Sequence, residues 1–203
     1  MICGIDEAGR GPLAGPVYAA AVILGEGFPI VLLNDSKKMK PSKRDEVRKI
    51  IYEKALVWGL GWTSHTEIDE INILQASLLA MKRAFEDMLK RAAEKQLHSI
   101  DEKLSVITDG NFAPDISIPD TLKLCPFLSV DCTALVKADS KVPEVMAASI
   151  LAKTERDIYM DKMAELYPLY GYEKHKGYPT AAHRKAVLLY GPSPIQRLKF
   201  RVK

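Results

Sequence analysis

The stretch that decides the fold lies at the start of the chain and reads Ile2-Cys3-Gly4-Ile5-Asp6-Glu7-Ala8-Gly9-Arg10-Gly11-Pro12. Residues 2–6 predict a short buried strand, and the glycines and proline behind it are typical of a turn. Asp6 and Glu7 stand where the strand gives way to the turn. Because ligand and catalytic groups of open α/β sheets cluster at strand ends, both carboxylates are candidate site residues.

Two further acids occupy the same kind of position. Asp109 follows Val106-Ile107-Thr108, and Asp139 follows Leu135-Val136-Lys137-Ala138. Four carboxylates brought together would repel one another and raise each other's pKa unless a cation neutralised them. All-oxygen sites suit Mg²⁺ or Mn²⁺. Two such ions about 3.5–4 Å apart can activate a water and stabilise the leaving oxygen of a phosphodiester.

The residues alone leave a simpler alternative open, in which each acid is a turn former or a helix cap. Asp6 and Glu7 also point to opposite faces of an ideal strand. We therefore expect the strand to end or to bulge between them if both side chains serve one site.

Outward from this stretch, hydrophobic periodicity predicts strands separated by helices. The further predicted strands are residues 17–24, 56–63, 104–109 and 134–137. One predicted helix begins at Pro41-Ser42, and three others span about residues 67–96, 143–167 and 180–189. Ser42 is the expected N-cap of the first helix. Gly59 and Gly61 indicate a sheet edge or a close backbone contact. The pattern indicates the α/β class, with helices packed on a mixed sheet.

Three segments are predicted to lack regular structure for most of their length. They are residues 25–40, the connector within 90–103 that follows the end of the long helix, and the Pro- and Asp-rich stretch 112–132.

Length and composition limit the class of protein. With 203 residues and 47% hydrophobic content, the chain can build one sizeable core, so we predict a single domain, residues 1–203. Its three cysteines include no C-x-x-C pair, which argues against a disulfide framework or a zinc ribbon. No leader and no apolar run of the roughly 18 residues of a membrane span is visible. We expect a soluble, cytoplasmic monomer without a membrane partner, and the sequence leaves its protein partners open.

Basic residues are unevenly distributed, although the net charge is only +3. Residues 174–203 carry eight Lys or Arg and no acid, and we predict a basic C-terminal helical segment there. Residues 37–54 carry another eight. Solvated helix faces explain such runs as well as the two lobes of a groove that follows a phosphate backbone.

The segment from Asp6 to Pro16 closely resembles the signature of the type 2 ribonucleases H (ribonuclease HII). The similarity continues in order through Asn34-Asp35-Ser36-Lys37-Lys38, Glu67-Ile68-Asp69 with Asn72-Ile73, Asp109-Gly110, Asp139-Ser140, Ala147 to Lys153, Arg156-Asp157 and His175-Lys176-Gly177-Tyr178. Several independent motifs in the right order are far more specific than any one of them.

The resemblance implies a ribonuclease H-like fold, a five-stranded mixed sheet flanked by helices. It implies that the catalytic acids, which hold Mn²⁺ or Mg²⁺, are Asp6, Glu7, Asp109 and Asp139. One departure concerns the residue before the fourth acid, which is usually glycine in the family and is Ala138 here. Its methyl group requires a negative φ at this position.

The resemblance also implies a substrate site. The turn Gly9-Arg10-Gly11 would read the 2′-hydroxyl of a ribonucleotide, because glycines let the backbone approach the sugar closely. Tyr178 would stack on the following deoxyribose, and Lys37 and Lys38 would contact phosphates. An ordinary turn, a half-buried packing tyrosine and solvated lysines are the alternatives for these residues.

The sequence thus predicts a metal-dependent endonuclease. Its substrates would be the RNA strand of RNA–DNA hybrids and single ribonucleotides in duplex DNA, cut on their 5′ side to leave 3′-hydroxyl and 5′-phosphate ends at the entry step of their repair. A related metal nuclease that acts on DNA and a non-catalytic hybrid-binding module are the alternatives. The Gly9-Arg10-Gly11 turn distinguishes the first prediction from the DNA nuclease, since an enzyme that does not recognise the 2′-hydroxyl would also cut an all-DNA duplex.

Overall fold

The computed structural model describes residues 1–95, 97, 103–117 and 129–201. The five strands are β1 (Ile2–Ala8), β2 (Val17–Leu24), β3 (Ala55–Thr63), β4 (Lys103–Asp109) and β5 (Ser129–Leu135). The helices are α1 (Pro41–Lys54), α2 (His65–Glu94), α3 (Pro143–Leu166), the single turn α4 (Tyr172–His175) and α5 (Ala181–Tyr190). Short 3-10 turns lie at Ile30–Leu32, Ala138–Ser140 and Pro168–Tyr170.

The strands form one sheet in the order β3-β2-β1-β4-β5. The pairs β1–β2 and β2–β3 are antiparallel, whereas β1–β4 and β4–β5 are parallel. Residues 9–16 join β1 to β2, whereas α1 lies between β2 and β3 and α2 lies between β3 and β4. The predicted five-stranded mixed sheet of the α/β class is confirmed.

Helices cover both faces of the sheet. On one face α2 packs its apolar side, including Phe85, on Ile5 of β1 and Val106 of β4. On the other face α1 and α3 pack on residues such as Val22 of β2. Alternate residues of a strand point to opposite faces, so the almost wholly apolar β2 supplies both cores.

The two glycines of β3 allow α2 to lie directly on the strand. A Cβ atom at Gly59 would stand 2.2 Å from the backbone nitrogen of Met88, and one at Gly61 would stand 2.3 Å from the carbonyl oxygen of Ala80. Both predictions for these glycines are confirmed, since β3 is also an edge strand.

Two local predictions at the sheet were wrong. Strand β1 does not end or bulge between Asp6 and Glu7; it runs to Ala8, and both acids pair with β2 in unbroken register. Strand β5 spans Ser129–Leu135 instead of residues 134–137, so part of the predicted 112–132 loop is strand. The residues of β5 are at most half-buried. A strand that is only partly covered does not need a continuous apolar run, and the sequence has none there.

Helix ends also differ from the prediction. Ser42 is not the N-cap of α1, because Lys40 occupies that position and Pro41 is the first helical residue. The fixed φ of proline suits the first turn, where its missing N–H costs no hydrogen bond. Helix α2 begins two residues early behind a capping box of Ser64 and Glu67. It breaks at Asn72, whose φ is 70°.

Some predictions fall on residues outside the described ranges. They concern Gln96 at the end of the predicted long helix, residues 98–102 of the 90–103 connector, residues 118–128 of the predicted loop with Cys125, and residues 202–203 of the C-terminal segment. Cys3 and Cys132 are free thiols.

Among the described helices, none combines the length and the apolar character that crossing a membrane requires. Within the 174–203 segment, α5 is followed by non-helical residues 191–201.

Candidate active site

The register of two parallel strands places Asp6 beside Asp109. The pairing of β1 with β4 ends at Ile5 and Thr108, so these acids are the next residues on adjacent strands. Ile5 faces α2, and Asp6 therefore starts on the opposite face, beneath α3. There the hydroxyl of Ser149 donates to the Asp6 carboxylate. Asp6 is buried, and its Oδ1 also accepts from the Glu7 amide at 2.7 Å.

Glu7 reaches the mouth of the site from the end of the same strand. Its Oε1 lies 3.3 Å from Nη1 of Arg10 in the following turn. Its Oε2 is buried and has no hydrogen-bond partner among the described residues. Glu7 thus offers one oxygen that the protein itself leaves free to bind a ligand.

A hydrogen bond joins Asp109 to the turn that carries Asp139. Oδ1 of Asp109 accepts from the backbone amide of Ala138 at 2.7 Å and lies 3.5 Å from that of Asp139. Lys137 takes the left-handed conformation with φ 60°, whereas Ala138 does not. The expected negative φ at Ala138 is therefore confirmed, because the preceding lysine makes the tight turn.

Lys37 closes the site from the loop before α1. Its Nζ lies 3.2 Å from Oδ2 of Asp139. Partial burial lowers the pKa of Lys37, but the hydrogen bond to Asp139 and the charges of Asp139 and Asp6 raise it overall. The neighbouring Lys38 behaves differently, since its ammonium pairs with Asp35 at 3.6 Å.

Burial and neighbouring negative charges disfavour the ionised forms of the two acids of β1. Burial raises the pKa of Asp6, and the charges of Glu7 and Asp109 raise it further, although the bond from Ser149 opposes the shift. Burial likewise raises the pKa of Glu7 in spite of Arg10, and Asp109 adds to the shift. A bound cation would relieve this repulsion.

The oxygen donors of the four acids suit a hard divalent cation, because carboxylate oxygens are the ligands that Mg²⁺ and Mn²⁺ prefer. Within the described ranges, no three acidic, histidine or cysteine side chains already stand in a metal-holding arrangement. Arg10 holds one oxygen of Glu7, and Lys37 holds one of Asp139. An ion that bound these same two oxygens would displace Arg10 and Lys37, whereas Oε2 of Glu7 is free of such a contact.

A cavity of about 210 Å³ opens beside the acids. Most of the predicted site residues outside the acid cluster line it, together with one of the acids: Glu7, Gly9, Arg10, Gly11, Lys37 and Tyr178. Ser36, Ser149 and Lys153 complete the wall with Ala8. Lys38 is not part of the lining. The structure therefore brings the glycine turn, one lysine and the tyrosine to one place next to the carboxylates.

The buried Arg156 supports this turn. A Cβ atom at Gly9 would stand 2.2 Å from Nε of Arg156, which explains the glycine there. Arg156 donates to the carbonyl oxygens of Ala14, Pro16 and Lys176 at 3.0–3.2 Å. It thereby ties the glycine turn to the segment that carries Tyr178.

Two serines near Asp6 were missed. The hydroxyls of Ser36 and Ser149 lie 2.9 Å apart, and both residues are buried. Ser149 is the one polar residue within the apolar run 145–152 of α3. A single hydroxyl in such a run was the available signal.

Comparison with known proteins decides the family. The model of the family described as ribonuclease HII matches residues 3–203. The chain belongs to the ribonuclease HII family. The ribonuclease HII of Treponema denticola is 53% identical over 100% of this chain and 99% of its own length, and that of Dechloromonas aromatica is 48% identical over 98% and 90%.

Solved structures show the same architecture. The ribonuclease HII of Archaeoglobus fulgidus, solved in a complex with PCNA, is 27% identical and superposes with a TM-score of 0.64 over 98% of this chain and 93% of its own. The fold is therefore ribonuclease H-like. Ribonucleases HII are hydrolases, endoribonucleases that act on RNA–DNA hybrids and depend on divalent metal ions, and this chain shares that activity.

Proposed function

We propose that the protein cuts the RNA strand of RNA–DNA hybrids and also the 5′ side of single ribonucleotides embedded in duplex DNA, leaving 3′-hydroxyl and 5′-phosphate ends. One observation carries the proposal: the cavity lined by Gly9-Arg10-Gly11, Lys37 and Tyr178 opens directly beside the acids. A residue that distinguishes RNA from DNA must lie next to the groups that break the bond.

The metal ligands in this proposal are Asp6, Glu7, Asp109 and Asp139. Their oxygens suit a pair of Mn²⁺ or Mg²⁺ ions, and the unpartnered Oε2 of Glu7 is the clearest vacant donor among the described residues. Bound ions would supply an activated water and neutralise charge that develops on the phosphodiester.

The remaining residues bind and orient the substrate. The glycine turn lets backbone groups reach the 2′-hydroxyl, which DNA lacks. Tyr178 offers a half-exposed ring for stacking on the next sugar, and two cations, Lys153 and Arg156, lie 5.9 Å and 5.8 Å from its centre. Lys37 and Lys38, both largely exposed, provide positive charge for the phosphate backbone.

The wider binding surface follows from charge. We propose that one domain, residues 1–203, acts as a monomer on the duplex. The exposed basic residues of 37–54 and 174–203, but not the buried Arg44 and Arg197, contact phosphates beyond the site.

One assay tests the proposal. A DNA duplex with a single ribonucleotide is incubated with the protein and either EDTA, Mg²⁺ or Mn²⁺, beside an all-DNA duplex of the same sequence. We expect metal-dependent cleavage on the 5′ side of the ribonucleotide and an intact DNA control. Cleavage of the all-DNA duplex would instead favour a DNA nuclease, and binding without cleavage a non-catalytic module.

A further inference from the structure

Arg197 is buried directly behind the glycine turn. Its side chain is fully enclosed, and all five of its N–H donors are used. Each donates to a backbone carbonyl oxygen of the segment 9–16: Gly9 at 2.6 Å, Arg10 at 3.0 Å, Pro12 at 2.8 Å, Gly15 at 2.8 Å and Pro16 at 3.2 Å. No carboxylate accepts from this guanidinium within the described residues, so its hydrogen bonds are to the turn alone, and it lies 5.1 Å from the ring centre of Phe200.

These contacts fix the direction of two amides. In a planar trans peptide the C=O of one residue and the N–H of the next point in opposite directions. The described residues contain no cis peptide bond. Because Gly9 and Arg10 direct their carbonyl oxygens at Arg197, the N–H groups of Arg10 and Gly11 point away from it, toward the exposed side of the turn.

Those two amides are available to a ligand. Arg10 and Gly11 are exposed, and both line the cavity beside the acids. Neither N–H has a hydrogen-bond partner in the part of the chain that the structure describes. By contrast, the Leu13 amide, next along the turn, donates to the carbonyl of Gly177 at 2.8 Å.

The backbone around Arg197 is itself fixed. Its amide donates to Leu13 at 2.9 Å, and Gln196 forms a bridge with Ala14. Asp69 of α2 accepts from the amides of Leu198 and Lys199 at 2.8 Å and 3.0 Å. The segment that follows Arg197 is thereby anchored to a helix outside the site, which holds the guanidinium against the turn.

We propose that Arg197 is a positioning residue for substrate recognition: by binding five carbonyl oxygens, it presents the amides of Arg10 and Gly11 to an acceptor oxygen of the ribonucleotide or its phosphate. The inference rests on the proposed function, in which this turn contacts the substrate. Arg197 touches no substrate itself and acts only through the backbone of the turn.

The test compares Arg197→Met and Arg197→Lys with Ile51→Ala, which changes a buried residue of α1 that packs in the core with α3. Thermal melts establish that each variant is folded at the assay temperature. The main measurement is the ratio of Kd values for an all-DNA duplex and a duplex with one ribonucleotide, in EDTA. Loss of folded protein weakens both affinities equally and leaves this ratio unchanged. Cleavage in Mn²⁺ gives kcat and KM.

We expect Arg197→Met to bring the Kd ratio close to one and to lower kcat/KM on the ribonucleotide substrate by about 100-fold, as a loosened site does. Arg197→Lys should recover part of both, because lysine keeps the charge and three donors. Ile51→Ala should keep the wild-type ratio.

The inference is overturned if folded Arg197→Met or Arg197→Lys keeps the wild-type ratio and kcat/KM, or if Ile51→Ala loses the ratio as well. Should Arg197→Met fail to fold, Arg197→Lys decides alone. A wild-type protein that does not prefer the ribonucleotide duplex overturns the proposed function instead, and the two failures are therefore distinguishable.

Discussion

The ammonium group of Lys37 lies 3.2 Å from Oδ2 of Asp139, although the two residues are 102 positions apart in the chain. A cation of the loop before α1 thus neutralises an acid of the turn after β5. If Asp139 binds a metal ion as proposed, this contact would compete with the ion, and the metal affinity of the site would depend on a residue that is not a ligand.

We expect Lys37→Met to tighten binding of Mn²⁺ in the absence of nucleic acid. The variant removes a positive charge from the site, and the expected gain is roughly two- to fivefold because Lys37 is largely exposed and screened. Isothermal titration at low ionic strength measures it. Lys38→Met is the matched control, since its ammonium pairs with Asp35 instead. Equal affinities for both variants would contradict the prediction.

Asp6→Asn should abolish most activity and still stabilise the fold. Loss of one site carboxylate is expected to lower the cleavage rate by at least about 100-fold. Asp131→Asn, which changes an exposed acid of β5, is the control and should cut normally. Cleavage by Asp6→Asn at the wild-type rate would remove Asp6 from the catalytic acids.

The stability gain of Asp6→Asn depends on pH. Burial and the neighbouring acids raise the pKa of Asp6 in the folded state. Such a group favours folding below its ordinary pKa of about 4, and this contribution is lost as pH rises through the folded value. In EDTA the variant should therefore melt higher than wild type at pH 7, by roughly 2–4 °C for each kcal/mol of repulsion relieved, and not below pH 4. An equal gain at both pH values would argue against charge repulsion as the cause.

Tyr178→Ala should weaken substrate binding, because stacking needs the aromatic ring. Tyr178→Phe should bind nearly as well as wild type, because the Tyr178 hydroxyl makes no hydrogen bond among the described residues. Loss of the stacked ring costs about 1–3 kcal/mol. KM for the ribonucleotide substrate measures this loss. Tyr190→Ala, which removes a similarly exposed tyrosine of α5, should leave KM unchanged.

Gly59→Ala should destabilise the protein by about 1–3 kcal/mol, because its methyl group would overlap the backbone of α2 near Met88. Urea unfolding gives the free energy of unfolding. Gly25→Ala, where the nearest atom would be 3.7 Å away, should unfold like wild type. A Gly59→Ala protein of unchanged stability would mean that α2 can move off β3.

Much of the sheet could be predicted because burial imposes a pattern. Strand β2 and the apolar part of β1 are enclosed on both faces, and β4 is buried on the face that packs against α2, so their runs stand out in the sequence. Strand β5 was misplaced because its residues are only partly covered and include Ser129, Asp131 and Thr133. The residues of such a strand do not by themselves indicate that it pairs with β4. This pairing depends on the arrangement of the whole sheet.

The acids were nominated by their positions at strand ends, and the cavity residues by family resemblance. The supporting residues escaped prediction for a physical reason. Arg197 is one of eight basic residues in the segment 174–203, and only folding determines that it is buried while others remain solvated. Ser149 likewise gains its role from the register of α3 over Asp6.

The parallel pairing of β1 with β4 has a consequence for biogenesis. Asp6 and Asp109 meet only after a segment of about a hundred residues has folded between their strands, and such distant pairings form slowly. A nascent chain that carries the first two acids alone has no complete metal site. Nuclease activity should therefore appear late in refolding, after most helical signal has returned.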